Sequence, residues 1–484
     1  MSNLVFYSAS QLAKAIRDRQ VSSMEVIEAH LSQIAQHNPK LNAIVTLNEE
    51  QAHQRAQQAD AALARGEIWG PLHGVPVTCK DSFETAGLRT TCSYQPLANY
   101  IPHQDATVVA RLRGAGAIVL GKTNMPPLGT GLQTNSPLFG RGNNPWNLAY
   151  TCGGSTGGGA AAVASGLSPL EIAGDSGGSI RLPAHFCGVF GLKPTEHRVS
   201  TAGHIPALPG RARSLRHMLV VGALARSIED LRLCLSVIEG PDSRQWEVPP
   251  MVEKAVPSRP LSSYRFAFSD DFGDVPVMAS TRVALEKLAL ELTALGCHVE
   301  RLNPPGFNFT EAWEIFGELV ATQLYSRESN LALWLWWMLS LASPVIPGGP
   351  IARGYARGAG LSLRRNSIAL TQRDALISVM ERFLENWDAW LCPVCPRTAF
   401  AHTWTGRPLE VDEQKLSYVM VGCAYTAIFN LTGNPVVVLP VTQSQEGLPI
   451  GIQVVGRWWR DMELLSIAEK LAEVTGPFRR PPGY

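Results

Sequence analysis

The spacing of hydrophobic residues near the beginning of the chain is that of amphipathic helices. Ser22 followed by Glu25 has the spacing of a capping box that opens a helix, and residues 51–64 are rich in alanine and contain no glycine. The pattern therefore predicts a mainly helical segment over about residues 1–70. Its charged residues are interspersed among the apolar ones, unlike the apolar core and small-residue cleavage site of a secretion signal.

Beyond this segment the hydrophobic pattern changes to that of buried strands. Residues 75–79 and 117–120 are short apolar runs bounded by glycine or a charge. The small-residue run 157–166 predicts a helix that packs closely on its neighbours. Further predicted elements are strands at 264–268, 435–440 and 450–455 and a helix at 280–295. The alternation predicts an α/β fold, and we interpret the 484 residues as one large domain.

Composition narrows the class of protein further. The 42 lysines and arginines nearly balance the 41 acidic residues, and there is no strongly basic run, which disfavours nucleic acid as the main partner. Nine cysteines, an odd number spread thinly over the chain, favour reduced thiols in a cytoplasm over a disulfide framework. The most apolar stretch, residues 331–341, is much shorter than the roughly 20 residues that cross a bilayer, so no membrane span is predicted.

Two Gly-Gly-Ser triplets, at 153–155 and 177–179, lie in a glycine-dense region. Glycines beside a serine let a reacting carbonyl approach the backbone closely, and the amides there could stabilise an oxyanion. A serine hydroxyl is a weak nucleophile until a base removes its proton. Lys80 follows the apolar run 75–79, where burial would lower its pKa from about 10.4 and make it a candidate base. A solvated strand end, or an ion pair with Asp81, would suit the same position.

The residues around both triplets resemble the signature region of amidase-signature enzymes. The matching stretches are GGSTGGGAAAVASG at 153–166, GDSGGSIRLPAHFCGVFGLKPT at 174–195, HGVPVTCKD at 73–81, GKTNMP at 121–126, NLTGNPVVVLP at 430–440 and GLPIGIQVVG at 447–456. The resemblance implies one α/β domain over 1–484, with a central twisted mixed β-sheet covered by helices on both faces and a signature core over about 71–200. It implies hydrolysis of a small-molecule amide without metal or other cofactor, and it is compatible with a homodimer.

The resemblance also assigns a catalytic triad. Carried over by motif position, the family pattern makes Ser179 the nucleophile, Ser155 a bridging serine held by a cis peptide bond, and Lys80 the general base. In the implied cycle Ser179 attacks the amide carbon and Lys80 takes up its proton through Ser155. The relay then delivers a proton to the departing nitrogen, and water cleaves the acyl-enzyme.

Supporting residues are implied in the same way. The oxyanion hole is expected at the backbone N–H groups of Ser176, Gly177, Gly178 and Ser179. Asp175 and Arg181 are expected to brace this loop. Three positions depart from the family pattern: Thr156, where a second serine is usual, Ser176, where threonine or isoleucine is frequent, and Pro127, where an acidic residue is frequent. The hydrogen bonding around the triad is therefore less predictable than the triad itself.

Two other functions remain open at the level of sequence. The amidotransferase component of a tRNA-charging complex would carry the same serines and lysine. Pro126 stands where those proteins resemble one another in carrying aspartate, which favours a stand-alone amidase. Residues 153–157 match the G-x-S-x-G elbow, so an esterase with Ser155 as nucleophile and a histidine base is the second alternative. We interpret His185 and His197 as structural.

Other motifs have simpler structural interpretations. Residues 116–123 match a phosphate-binding loop, but residues 117–120 have the composition of a buried strand. Cys392 and Cys395 have the spacing of a redox or zinc motif. Because no second pair completes a tetrahedral metal site, we expect two buried thiols at a strand end.

Two groups of residues are candidates for roles around the site. Cys79, Cys152 and Cys187 adjoin the site segments and are candidates for inhibition by thiol reagents. An aromatic cluster is a candidate for an apolar acyl or aryl pocket, with ordinary core or a contact between protomers as the equal alternative. Its members are Trp313, Phe316, Trp334, Trp336 and Trp337.

Overall fold

The computed structural model of the protein describes residues 4–210, 213–251, 259–325, 349–360 and 362–484. Three helices fill most of the segment up to residue 64, and the predicted capping box of Ser22 and Glu25 opens the second of them. The described α-helices are α1 (Ala9–Arg17), α2 (Ser23–Leu41), α3 (Glu49–Ala64), α4 (Thr107–Gly114), α5 (Gly157–Ala164), α6 (Arg181–Cys187), α7 (Ile228–Ile238), α8 (Ala279–Ala294), α9 (Phe309–Tyr325), α10 (Gly349–Gly358), α11 (Leu363–Leu384), α12 (Tyr418–Cys423), α13 (Ala427–Leu431) and α14 (Asp461–Thr475).

Most of the described strands belong to one mixed β-sheet. The strands are β1 (Ile44–Leu47), β2 (Pro76–Lys80), β3 (Ile118–Thr123), β4 (Asn135–Ser136), β5 (Gly140–Arg141), β6 (Asn143–Asn144), β7 (Asn147–Thr151), β8 (Leu170–Asp175), β9 (Phe190–Lys193), β10 (Val220–Ala225), β11 (Arg265–Phe268), β12 (His298–Arg301), β13 (Ala389–Pro393), β14 (Leu409–Val411), β15 (Gln414–Leu416), β16 (Val436–Gln443) and β17 (Pro449–Val455). Eleven of them form the sheet, in the order β1-β3-β2-β8-β10-β9-β16-β17-β13-β11-β12. The α/β class with a mixed central sheet is therefore confirmed.

The direction of three strands brings the candidate site residues to one edge of this sheet. Strand β2 runs parallel to β3 on one side and to β8 on the other, so the carboxyl ends of β2 and β8 lie at the same edge. Lys80 is the last residue of β2, and Asp175 is the last residue of β8. Strand β10 pairs with β8 in the antiparallel direction, so the residues that precede β10 return to that edge.

Helices cover both faces of the sheet. This follows from the hydrophobic clusters, since alternate residues of one strand belong to different clusters. Leu170 and Ile172 of β8 belong to a cluster that contains residues of α1, α4, α7, α8 and α14. Ala173 of the same strand belongs to a second cluster, with residues of α2, α3, α5 and α6. This period-two division is what a sheet buried on both sides requires.

Differences from the predicted elements are small and have local causes. The small-residue helix ends at Ala164 rather than Gly166, and a Cβ on Gly159 would lie 2.4 Å from the Glu171 carboxylate, which explains the close packing. Strand β1 was not predicted, because four residues are too short for a period-two pattern to stand out. Among the described helices, none combines the length and the hydrophobicity needed to cross a bilayer; residues 331–341 lie outside the described residues.

Candidate active site

Lys80 lies inside the protein and contacts the first of the two candidate serines. Its side chain is buried, at 2% exposure, and its Nζ donates a hydrogen bond to Ser155 Oγ at 2.6 Å. The peptide bond between Gly154 and Ser155 is cis, as the resemblance implies. The Asp81 carboxylate instead accepts a hydrogen bond from the backbone N–H of Thr91 at 3.1 Å. Neither a solvated strand end nor an ion pair with Asp81 therefore describes this lysine.

The environment of Lys80 shifts its ionisation equilibrium toward the neutral form. Burial lowers the pKa of Lys80 to about 8, because the charged ammonium loses its hydration inside the protein. The nearby carboxylates of Asp175 and Glu171 act in the opposite direction but offset only part of the effect of burial. A lysine with this pKa exists partly as a free amine near neutral pH and can accept a proton.

Ser179 lies on the turn between β8 and α6. The backbone N–H of Thr156 donates to the carbonyl oxygen of Ser179 at 3.2 Å, which joins the two Gly-Gly-Ser segments. Ser155 is buried, whereas Ser179 is partly exposed and lines a cavity together with Gly154. The structure thus brings the three candidate residues to one place. The buried hydroxyl of Thr156 has no hydrogen-bond partner among the described residues.

A buried ion pair lies in the loop that carries Ser179. Arg181 donates to both carboxylate oxygens of Asp175, at 2.9 and 3.1 Å, and both side chains are fully buried. The same carboxylate accepts the backbone N–H groups of Gly178 at 2.8 Å and Ile180 at 3.0 Å. Burial alone would raise the pKa of Asp175, but Arg181 and these hydrogen bonds hold it well below its usual range. The carboxylate is therefore charged and fixes the turn.

Three residues that received no role from the sequence complete this brace. Arg181 also donates to the carbonyl oxygen of Thr426 and to Gln453 Oε1, each at 2.9 Å. Asn430 Nδ2 donates to Asp175 Oδ1 at 3.0 Å. Asn430 and Gln453 lie within the two C-terminal stretches that carry the family resemblance. The sequence therefore marked both residues, although it did not show what they contact.

The expected set of oxyanion donors requires a correction. The Gly178 N–H already donates to Asp175, so it is not free for a substrate. The amides of Ser176, Gly177 and Ser179 have no hydrogen-bond acceptor among the described residues, and all three residues line the cavity. Gly178 has a different requirement: its φ is +117°, and a Cβ there would lie 2.5 Å from Thr426 Oγ1.

The cavity beside Ser179 has a volume of about 560 Å³ and a mostly apolar lining. None of the described residues that line it carries a charged side chain. Of the predicted aromatic cluster, Phe316 lines the cavity, while Trp313 is buried in the core and donates from Nε1 to the carbonyl oxygen of Ala424 at 2.9 Å. Trp334, Trp336 and Trp337 lie outside the described residues.

Helices α9 and α10 form one wall of this cavity and pack backbone to backbone. A Cβ on Gly354 of α10 would lie 1.8 Å from the carbonyl oxygen of Glu314 in α9, and one on Gly358 would lie 2.1 Å from that of Glu318. A Cβ on Gly317 of α9 would in turn lie 2.1 Å from the carbonyl oxygen of Ile351. Each glycine therefore sets how closely the two helices approach, and with it the width of the cavity.

The cysteines near the site are not poised to react. Cys79, Cys152 and Cys187 are fully buried, and burial raises the pKa of Cys79 and of Cys152 to about 12 and that of Cys187 well above its ordinary value. Since the thiolate is the reactive form, their candidacy for inhibition is not supported. Cys423, which lines the cavity and is partly exposed, also has a pKa raised by burial to about 12.

The other motifs adopt structural roles. Lys122, which completes the phosphate-loop match, is buried in β3 and donates to Thr85 Oγ1 at 2.9 Å. Cys392 and Cys395 are buried thiols at the end of β13, as predicted. His185 is buried, and its Nδ1 accepts a hydrogen bond from the N–H of Gly451 at 2.7 Å, as in a residue with a structural role.

The esterase elbow is not formed around Ser155. The strand before it, β7, belongs to a two-stranded sheet rather than to the central one. The hydrogen bond that Ser155 Oγ accepts comes from Lys80, and within the described residues no histidine bonds to it. A nucleophile elbow needs a central strand before the serine and a histidine beside it.

Comparison with known proteins identifies the family of the chain. A family model described as Amidase matches residues 25–465. A glutamyl-tRNA(Gln) amidotransferase subunit of Alkaliphilus metalliredigens is 30% identical over 97% of each chain, and the corresponding protein of Symbiobacterium thermophilum is 33% identical over 97% of this chain and 96% of its own. The structure of 6-aminohexanoate cyclic dimer hydrolase complexed with substrate is 26% identical, with a TM-score of 0.82 and 99% of each chain covered. A crystal structure of an amidase is 27% identical, with a TM-score of 0.79, covering 97% of this chain and all of that one. The chain therefore belongs to the amidase family, that of the amidase-signature enzymes.

Proposed function

We propose that this protein is a stand-alone amidase that hydrolyses carboxamides through an acyl-enzyme on Ser179, with Lys80 as base and Ser155 as the bridge between them. The observation that carries the proposal is the 2.6 Å contact between Lys80 Nζ and Ser155 Oγ inside the protein. A serine nucleophile needs an adjacent base, and burial gives this lysine a pKa of about 8, so that part of it is a neutral amine near neutral pH.

The proton and the acyl group follow a closed cycle in this mechanism. Ser179 Oγ attacks the carbonyl carbon while its proton passes to Ser155 Oγ and the proton of Ser155 passes to the neutral amine of Lys80. The C–N bond breaks as the relay runs in reverse and protonates the departing nitrogen. Water then attacks the acyl ester, again losing a proton through the relay, and the carboxylic acid leaves with Ser179 restored.

The negative charge that develops on the carbonyl oxygen needs donors already in place. The amides of Ser176, Gly177 and Ser179 are the candidates, because they have no acceptor within the part of the chain that the structure describes and their residues line the cavity. Preorganised amides of this kind contribute about 3–4 kcal/mol each to lowering a barrier. The ion pair of Asp175 and Arg181 holds their turn and so positions them without contacting the substrate.

The cavity supports an uncharged, apolar acyl or aryl group as the part of the substrate nearest Ser179. Its described lining includes Phe316, Val320 and Ile351 but no acid, lysine or arginine. A charged group placed there would lose its hydration without gaining an ionic partner. About 560 Å³ lies in the range of pockets that enclose a small organic molecule.

The same observation bears on the choice between a stand-alone amidase and the amidotransferase component of a complex. The curated relatives quoted above carry the latter name. A protein that takes ammonia from an amino acid amide, such as glutamine, has to bind an ammonium and a carboxylate close to its nucleophile. Because the described lining offers no charged side chain for either group, it favours a neutral amide as substrate.

Labelling with a fluorophosphonate tests the nucleophile without requiring the substrate. The serine oxygen displaces fluoride and forms a stable phosphonate ester, which peptide mass mapping locates. We expect one adduct, on the peptide that contains Ser179, and its loss in Ser179→Ala. Ser367→Ala, which alters a serine of α11 away from the cavity, should label like the unmodified protein.

The alternatives give different outcomes. An adduct on Ser155 would contradict the proposal and favour the esterase mechanism. Absence of any adduct on the folded protein would contradict an activated serine. A parallel assay compares hydrolysis of an apolar anilide with release of ammonia from glutamine; faster use of glutamine would favour the amidotransferase function instead.

A further inference from the structure

A second cluster of polar side chains lies at the edge of the sheet that carries Ser179. Glu196 and His197 follow β9, and His217 lies just before β10. Strand β10 pairs with β8 so that Val220 opposes Asp175, which places this cluster beside the nucleophile loop. No step of the proposed hydrolysis uses any of the three side chains.

Their ligand atoms converge on a small volume. Glu196 Oε1 lies 3.8 Å from His197 Nε2 and 3.8 Å from His217 Nδ1, and the three ligand atoms all lie within 4.8 Å of one another. Ligands bound tetrahedrally to zinc at about 2.1 Å are about 3.4 Å apart. Small movements of two partly exposed histidines would therefore complete such a site.

The Glu196 carboxylate is already held by two neighbours. Arg373 forms an ion pair with Glu196 Oε2, and the N–H of Met218 donates to Oε1 at 2.6 Å. Oε1 retains a second lone pair on the side of the imidazoles. A positively charged neighbour on one carboxylate oxygen fixes the orientation of the group, so the other oxygen, here Oε1, is already positioned to bind a ligand.

The histidines are available as ligands. His217 Nδ1 is buried and has no hydrogen-bond partner among the described residues. The side chains of His197 and His217 are 22% and 37% exposed, which places the cluster near the protein surface.

We propose that Glu196, His197 and His217 form a binding site for a borderline divalent cation, with Zn²⁺ as the representative ion. Two imidazoles and one carboxylate are a ligand set that zinc accepts, with its fourth position left to water. The site is distinct from the proposed triad, and the role of His197 goes beyond the structural one that the sequence suggested.

The backbone of His197 provides a clean variant. Its φ is +63°, a left-handed conformation that glycine adopts without strain. His197→Gly therefore removes the imidazole while leaving the backbone in a conformation that suits it. His217→Ala removes the second imidazole, and His298→Ala, which breaks an exposed pair with Glu300 elsewhere on the protein, is the matched control.

Isothermal titration of metal-free protein with Zn²⁺ tests the site, and Co²⁺ absorption reports its coordination. We expect one tight equivalent. Loss of a residue that only supports a ligand costs about 10–100-fold in affinity, so removal of a ligand in His197→Gly or His217→Ala should cost at least about 100-fold. Binding should be unchanged in His298→Ala. Absence of a tight equivalent in the unmodified protein, or unweakened binding in either ligand variant, would overturn the proposal.

Discussion

The pKa of Lys80 should set the pH at which the enzyme becomes active. Below this pKa the amine carries a proton and cannot act as base; above it the amine is free. With a pKa of about 8, about a tenth of the lysine is neutral at pH 7 and about nine-tenths at pH 9. We therefore expect kcat/KM to rise about tenfold between these two pH values and then to level off.

The assay is hydrolysis of an apolar anilide from pH 6 to 10, with kcat/KM as the measured quantity because it reports ionisation of the free enzyme. Lys80→Met keeps an apolar chain of similar length and removes the base. It should lose about 10²–10⁴ in rate and with it the rise near pH 8. A midpoint near 6.5, or an unchanged profile in Lys80→Met, would refute the assignment of Lys80 as base.

The same pKa has a consequence for stability that does not depend on catalysis. The folded pKa is depressed from 10.5 to about 8, so the unfolded chain holds the proton more tightly. Burying the charged lysine thus costs about 3 kcal/mol below pH 8, and this cost disappears as the pH rises from about 8 to 10.5. Relative to Lys80→Met, the unmodified protein should gain about 2 kcal/mol in free energy of unfolding between pH 7 and 9.5. Denaturant titrations at both pH values measure this; a constant difference would show that burial is not the cause.

Two further substitutions test the support around the site. Asp175→Asn leaves a buried guanidinium without its ionic partner and should cost about 3–5 kcal/mol in urea denaturation, whereas Asp18→Asn at an exposed ion pair should change stability by less than about 1 kcal/mol. Equal effects would contradict the brace. Gly354→Ala should push α10 from α9, lower stability by about 1–3 kcal/mol and raise KM for the anilide, whereas Gly114→Ala, whose Cβ meets no atom within 4 Å, should leave KM unchanged. An unchanged KM in Gly354→Ala would contradict the role of this helix contact in the cavity.

Much of the site could be predicted because its signals are local in sequence. Lys80 stands at the end of an apolar run, which made burial one of two open interpretations, and the family resemblance decided between them. The two glycine-rich segments carried the family resemblance over residues 153–166 and 174–195. Gln453 and Thr426 were missed because they reach Arg181 from more than 240 positions away, and no local pattern encodes such a contact.

The cavity was beyond prediction for a different reason. Its wall depends on the close approach of α9 and α10, which three glycines permit by presenting bare backbone to a neighbouring carbonyl. From sequence alone, a glycine inside a helix is expected only to destabilise that helix. Its role in close packing becomes apparent only when the neighbouring helix is known. The aromatic residues were the more obvious signal, yet Trp313 lies in the core and only Phe316 among the described members lines the cavity.

The ion pair of Asp175 and Arg181 influences which backbone amides of the Ser179 turn have a hydrogen-bond acceptor inside the protein. Replacing a buried ion pair by apolar side chains often leaves stability unchanged or higher, so stability alone does not explain its presence. The Asp175 carboxylate accepts hydrogen bonds from the amides of Gly178 and Ile180, while Arg181 donates to three acceptors in two other segments, which contain residues 426–430 and 453. The amides of Ser176, Gly177 and Ser179, three residues that line the cavity, have no acceptor among the described residues. A carboxylate that satisfies some amides and not others selects which donors a substrate meets, and an apolar pair could not make that selection.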